Sequence, residues 1–390
     1  MSNVDDPNSS VKRFSPEAPE PVIQPASVVP PASTPQPISQ KPKPSLLSNK
    51  MMIAIAAAGA AVIIVVVVVV CCVCIKKKDD EVAEVEDDWT EPYKKSKEFV
   101  SKLSLNEKLN LLYGTENCYF SEEERKLKYC VGQLDAFSNS DVSFPGMCLQ
   151  DGPQGIRQMK GTAISWQASI NTAATFNKDL IYKVGKAQGE ECKEKGINTL
   201  LSPSVNIMRT PQAGRLWEGF GEDPFYVGIC ASKIAKGIQD AGVIATIKHF
   251  TGNDQETYRK SSSSNIGTQA LFDVYVEPFY RSIKDSNVAS FMCSYNALNG
   301  TKTCKNKYLL TEVLRNMLGF KGFVMTDWWA VMSNTTDTIN AGLEVNMPGG
   351  KAWGTQYFGR EGSYWQNFST EVKNGKITED RVTEAVTRIL

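Results

Sequence analysis

Between Trp89 and the end of this 390-residue chain, short apolar runs alternate with longer amphipathic stripes, and that alternation leaves few folds open. The runs Met147–Gln150, Ile197–Leu201, Val243–Lys248, Ala289–Ser294, Gly322–Thr326 and Leu343–Asn346 are bounded by Gly, Pro or polar residues, as buried strands are. Between them, Lys178–Lys195 places Leu180, Ile181, Val184 and Ala187 on one helical stripe, and Tyr226–Gln239, Gln269–Lys284 and Tyr308–Leu318 behave alike. Strand–helix alternation over about 300 residues implies a parallel sheet, closed into a barrel or doubly wound. No G-x-G-x-x-G turn follows any of these strands, and polar clusters end several of them instead of lining one crevice. The expected fold is therefore α/β, a TIM-type (β/α)8-like barrel.

The chain ahead of the barrel has a different composition. Residues 1–50 are rich in Pro and Ser and carry no apolar period, so they are expected to be a disordered tail. Residues 51–75 contain no charge and include the valine run Val65–Val70. At helical rise they span roughly 37 Å, enough to cross a bilayer of about 30 Å, and they read as an uncleaved transmembrane helix, with a buried core helix as the alternative. A charged stalk, residues 76–90, follows, and residues 91–390 make up the barrel domain. The lysines flanking the apolar segment tie, and Cys71, Cys72 and Cys74 would suit acylation on a cytoplasmic face. The sequons at Asn299, Asn334 and Asn367 point the other way. The expectation is a single-pass membrane protein with its folded domain extracellular or lumenal. At the far end, Thr378 can cap a helix with the stripe Val382, Ala385, Val386, Ile389 and Leu390, where the chain stops as if cut at a domain boundary.

Residue counts narrow the chemistry. Lys plus Arg equals Asp plus Glu at 43 each, so no bulk charge recruits nucleic acid. A single histidine, His249, rules out a three-histidine zinc site or an H-E-x-x-H metalloprotease, and no G-x-S-x-G elbow supports a serine triad. Neither a metal nor a cofactor is expected. Carboxylate chemistry remains, with Asp327 and Asp151 best placed, because each ends an apolar run where a barrel puts its catalytic rim. Taken singly, Asp327 could merely cap the next helix, and Lys248-His249 could be a buried structural pair. Trp328 and Trp329 beside the aspartate offer flat faces for sugar rings.

These residues fall in six ordered motifs: Cys148-Leu-Gln-Asp-Gly-Pro-Gln-Gly-Ile-Arg157, Gly214-Arg-Leu-Trp-Glu-Gly-Phe-Gly-Glu-Asp-Pro224, Ile244-Ala-Thr-Ile-Lys-His-Phe250, Met292-Cys-Ser-Tyr-Asn296, Gly322-Phe-Val-Met-Thr-Asp-Trp328 and Gly342-Leu-Glu-Val-Asn-Met-Pro348. Together they resemble glycoside hydrolase family three in its β-glucosidase-like branch, over about residues 95–390. The resemblance implies an exo-acting retaining β-glycosidase that hydrolyses O-glycosyl bonds at the non-reducing end of a β-glucoside or oligosaccharide. Asp327 matches the nucleophile that forms the glycosyl-enzyme. Asp151 matches the carboxylate that receives sugar hydroxyls, and Arg215, Lys248 and His249 match its cationic and imidazole partners. Tyr295 matches the tyrosine beside the nucleophile and Trp328 the aromatic on the leaving-group side; Glu218 and Arg209 lie in matching motifs. The branch also implies bridges between Cys130 and Cys148 and between Cys293 and Cys304, hence an oxidising compartment.

In one respect the chain departs from the family. In this branch the acid/base is a glutamate from a following α/β domain, which is absent from this sequence. Another branch uses a barrel-loop histidine, but His249 already occupies the Lys-His motif. The alternative expectation is therefore a membrane-anchored sugar-binding barrel with little turnover.

Overall fold

The structure, a computed structural model, describes residues 88–114, 130–157, 162–331, 335–349 and 368–390. The tail, the apolar segment 51–75 and residues 76–87 of the stalk lie outside the described residues, as do Asn334 and Asn367. Among the described residues no helix is long and apolar enough to cross a membrane.

The main sheet has six strands: β1 (Gly132–Leu134), β2 (Met147–Asp151), β3 (Thr199–Leu201), β4 (Ile244–Phe250), β5 (Ser290–Cys293) and β6 (Phe323–Thr326), side by side in that order. From β2 to β6 every pairing is parallel. Beyond β6, Val345 bridges Met325 and Asn346 bridges Tyr113, both in parallel, so two further extended segments carry the sheet round towards closure. The fold is barrel-like, with one correction to the all-parallel expectation. β1 runs antiparallel to β2, and the 135–146 connection between them folds as a small hairpin, Phe137–Ser138 against Ser143–Phe144, instead of a helical crossover. The expected strand at Leu343–Asn346 likewise forms only isolated bridges.

Side chains alternate across the barrel wall. Leu200, Phe291 and Val324 pack outward into a core shared with the helices, whereas Leu201, Met292 and Met325 join a separate cluster inside. The helices facing that outer core are α2 (Lys178–Glu194), α3 (Pro224–Asp240), α4 (Glu277–Ser286) and the π-helical α5 (Tyr308–Met317), with α1 (Thr90–Val100) and α6 (Glu379–Ile389) on the inner cluster's side. Three of these helices start on a side-chain cap, the last of them the Thr378 cap expected from the sequence. Asn177 accepts from the Asp179 and Leu180 amides, Asp223 from Tyr226, and Thr378 from Arg381.

The contact of α2 follows its apolar stripe only in part, with Ile181 fully buried and Val184 packed against the core. Leu180 is exposed, and the centre of the α2–α3 contact is Gly185, where a Cβ would lie 2.3 Å from the Ile234 carbonyl oxygen. Two helix backbones that meet this closely need a missing side chain more than a large one.

Both bridges implied by the resemblance are present, Cys130–Cys148 and Cys293–Cys304, while Cys192 and Cys230 are buried thiols. One buried charge network joins the barrel wall to α6. Glu344, fully buried, accepts from Arg315 Nη2 (2.5 Å), Arg381 Nη2 (3.0 Å) and the Val324 amide (2.8 Å).

Candidate active site

The carboxyl ends of the strands deliver polar side chains to one mouth. β2 ends at Asp151, β4 carries Lys248 and His249, Tyr295 follows β5, Asp327 and Trp328 follow β6, and Arg215 comes from the loop after β3. All seven line a single cavity of about 730 Å³. A strand would normally point Lys248 and His249 to opposite faces. Here the β4–β5 register shifts between Lys248 and Phe250, so His249 is an extra residue in the ladder and both side chains reach the cavity.

Asp327 is at the floor. Its Oδ1 accepts the Trp328 amide at 2.7 Å, and its Oδ2 lies 3.6 Å from His249 Nε2. Burial pushes this carboxyl above the usual aspartate range; Arg215, Lys248, the Trp328 amide and Tyr295 oppose that shift without cancelling it. The direction is the reverse of what its cationic neighbours alone would give. Lys248, also buried, is pushed below the usual lysine range, against the pull of Glu218, Asp151 and Asp327. Burial and the neighbouring Arg215 and Lys248 charges drive His249 well below its usual range, so its imidazole is neutral at pH 7.

The cations are held by further carboxylates. Arg215 grips Glu218 in a two-pronged pair, at 2.7 and 2.8 Å. Burial alone would raise Glu218, but the Arg215 pair and Lys248 hold it below the usual glutamate range. Asp151 pairs with Arg157 at 3.2 Å. Around the rim, Tyr295 donates to the Trp328 carbonyl at 2.8 Å, and the Trp328 indole donates to the Val131 carbonyl at 3.0 Å, which fixes the ring.

Two charged cavity residues lie outside every motif read from the sequence. Glu256 pairs with Arg259 at 2.5 Å, and the Arg259 guanidinium lies 4.3 Å from the centre of the Tyr295 ring. The i, i+3 spacing of an acid and a base just after β4 was the available signal, but such pairs are common on any surface. Arg209, by contrast, is not among the residues lining this cavity; it pairs with buried Asp254 at 3.1 Å.

The comparisons with known proteins fit this geometry. Residues 77–390 match the family described as glycosyl hydrolase family 3 N terminal domain. Probable beta-glucosidase F of Aspergillus fumigatus is 40% identical over 312 residues, covering 77% of this chain and 34% of that protein. Beta-glucosidase 1 of Aspergillus aculeatus is 37% identical over 318 residues, 78% of this chain and 35% of its own length. Among solved structures, beta-glucosidase D2-BGL from Chaetomella raphigera matches with a TM-score of 0.70 and 39% identity, over 78% of this chain and 40% of that one. Beta-glucosidase 3B from Thermotoga neapolitana, in complex with alpha-D-glucose, matches with a TM-score of 0.68 and 35% identity, over 76% of this chain and 42% of that one. The chain thus spans about a third of the length of the curated relatives it matches. On the strength of the family match and the shared fold, this chain belongs to glycosyl hydrolase family 3, as its N-terminal barrel domain.

Proposed function

We propose that the cavity binds the terminal sugar of a β-glucoside and that Asp327 attacks its anomeric carbon, forming the glycosyl-enzyme of an exo-acting retaining β-glycosidase. The observation that carries this reading is the convergence of Asp327, Asp151, Arg215, Lys248, His249, Tyr295 and Trp328 on one pocket. Asp151 would accept sugar hydroxyls; Lys248 and Arg215 would donate to them. The tethered Trp328 ring offers a flat wall beside the nucleophile. The other carboxylates lining the cavity, Asp151, Glu218 and Glu256, each face an arginine, which suits an acceptor and not a proton donor. An aryl glucoside, whose leaving group needs little protonation, is therefore the substrate of choice for testing the attack. Membrane tethering through residues 51–75, with this domain on the extracellular or lumenal side, is proposed from the sequence alone.

The test is covalent trapping. A 2-fluoro β-glucoside with a dinitrophenyl leaving group should leave one fluoroglucosyl adduct, and peptide mass spectrometry should find it on Asp327. No adduct after prolonged incubation would reduce the site to sugar binding. The trapping rate should also depend on pH in one direction. Attack needs the ionised carboxylate, and burial raises Asp327, so the rate should fall as pH drops through a midpoint above 3.8. A midpoint at or below that value would contradict the buried electrostatics described above.

A further inference from the structure

Both ring nitrogens of His249 face partners that permit only one polarity. Asn206 Nδ2 donates to the His249 carbonyl at 3.0 Å, and Asn206 Oδ1 accepts the His249 backbone N–H, also at 3.0 Å. Those two bonds fix the amide, since turning it over would set donor against donor and acceptor against acceptor. The same Oδ1 lies 2.8 Å from His249 Nδ1 and can only accept, so Nδ1 carries the proton. On the far side Nε2 lies 3.3 Å from Arg215 Nη1, and a guanidinium can only donate.

We propose that Asn206 is a positioning residue that locks His249 as the neutral Nδ1–H tautomer and thereby keeps Nε2 bare beside Asp327. The proposal rests on the glycosylation step assigned to Asp327 above. A proton on Nε2 would lie close to Asp327 Oδ2, which is 3.6 Å from that nitrogen. A carboxylate oxygen that accepts such a bond is a weaker nucleophile. An imidazolium would also add a third cation beside Arg215 and Lys248. The charged groups around the ring are Arg215, Lys248, Arg259, Asp327, Glu256 and Asp254. The cations among them act with the amide, because each opposes protonation of the ring.

His249 is the one histidine of the chain, so ¹⁵N-labelled histidine gives a single pair of ring-nitrogen signals without assignment. In the full chain carrying no histidine tag, Nδ1 should read as protonated and Nε2 as bare at pH 7. In Asn206→Ala only Arg215 still opposes a proton on Nε2, so part of the ring population should move to Nε2–H. Asn206→Asp should draw a second proton onto the ring, so that Nε2 protonates at higher pH than in the wild type. Its 2-fluoroglucoside trapping should be about tenfold slower at pH 5 and recover by pH 8, the worth of one hydrogen bond to a charged group. A protonated Nε2 in the wild type overturns the proposal, and so does an Asn206→Ala chain whose ring signals and pH profile match the wild type. The wild-type spectrum needs no substitution, so a variant that fails to fold does not decide the matter. If no adduct forms on any chain, the catalytic reading fails, while the ring signals still decide the tautomer.

Discussion

Asp327→Asn should abolish adduct formation, slowing release of an aryl leaving group by on the order of 10⁴-fold or more while leaving glucose affinity within about tenfold. The asymmetry follows from what the amide keeps and loses. Its oxygen can still accept the Trp328 amide, and its NH₂ can face the bare Nε2 of His249, so the pocket keeps its shape. What disappears is the charged oxygen that would bond to the anomeric carbon, and among the described residues every other carboxylate lining the cavity is already paired with an arginine. Asp151 is tied to Arg157, Glu218 to Arg215 and Glu256 to Arg259. Pre-steady-state release of dinitrophenolate, with glucose binding by calorimetry, would check both halves. If the variant kept more than about a tenth of the wild-type rate, the nucleophile would lie elsewhere in the cavity, and Glu256 would be the first residue to substitute next.

The site was legible in the sequence wherever its residues end strands. Asp151, Lys248, His249 and Asp327 are contiguous with apolar runs, and a barrel's geometry then sends them to one rim. Arg215 sits in a long loop with no period at all, and it was reached only through the motif around it. Asn206 is invisible for the same reason, since it and His249 are 43 residues apart, whereas Glu256 and Arg259 show only an i, i+3 pair of the kind any surface carries. The strand–helix alternation was read correctly because burial on both faces of a parallel strand gives a continuous apolar run. β1 is not legible in the sequence, because Gly132-Gln-Leu134 is three residues long and shows no run. At α2 the apolar stripe marks only part of the contact, because glycines, which no hydrophobic count rewards, let the two helices meet. The reversed direction at Asp327 has a similar root. Charge neighbours can be guessed from motifs, but the degree of burial that outweighs them is a property of the packed chain.

Glu344 should matter to stability more than any other single side chain outside the cavity. Its carboxylate is fully buried and faces two guanidinium groups, Arg315 at 2.5 Å and Arg381 at 3.0 Å, whose side chains are 9% and 14% exposed. Glu344→Ala removes the only carboxylate bonded to Arg315 among the described residues and leaves the Val324 amide without its acceptor. Breaking such a network by deleting one partner costs about 3–5 kcal/mol, because the remaining charges stay buried. The expected reading is a lower urea midpoint at unchanged slope. Replacing all three members with apolar residues, as in Glu344→Leu with Arg315→Met and Arg381→Met, should cost much less than the single change. That triple variant would still lose the bonds from Arg315 to Gly322 and Gly342 and from Arg381 to Ile339 and Leu343. The network braces β6 three residues before Asp327, so its loss reaches the site through the strand and not through contact with sugar. In the fraction that stays folded, trapping should therefore slow by less than about tenfold. A stability loss below about 1 kcal/mol for Glu344→Ala would mean that water reaches the two arginines, and the buried network would then be an ordinary surface pair.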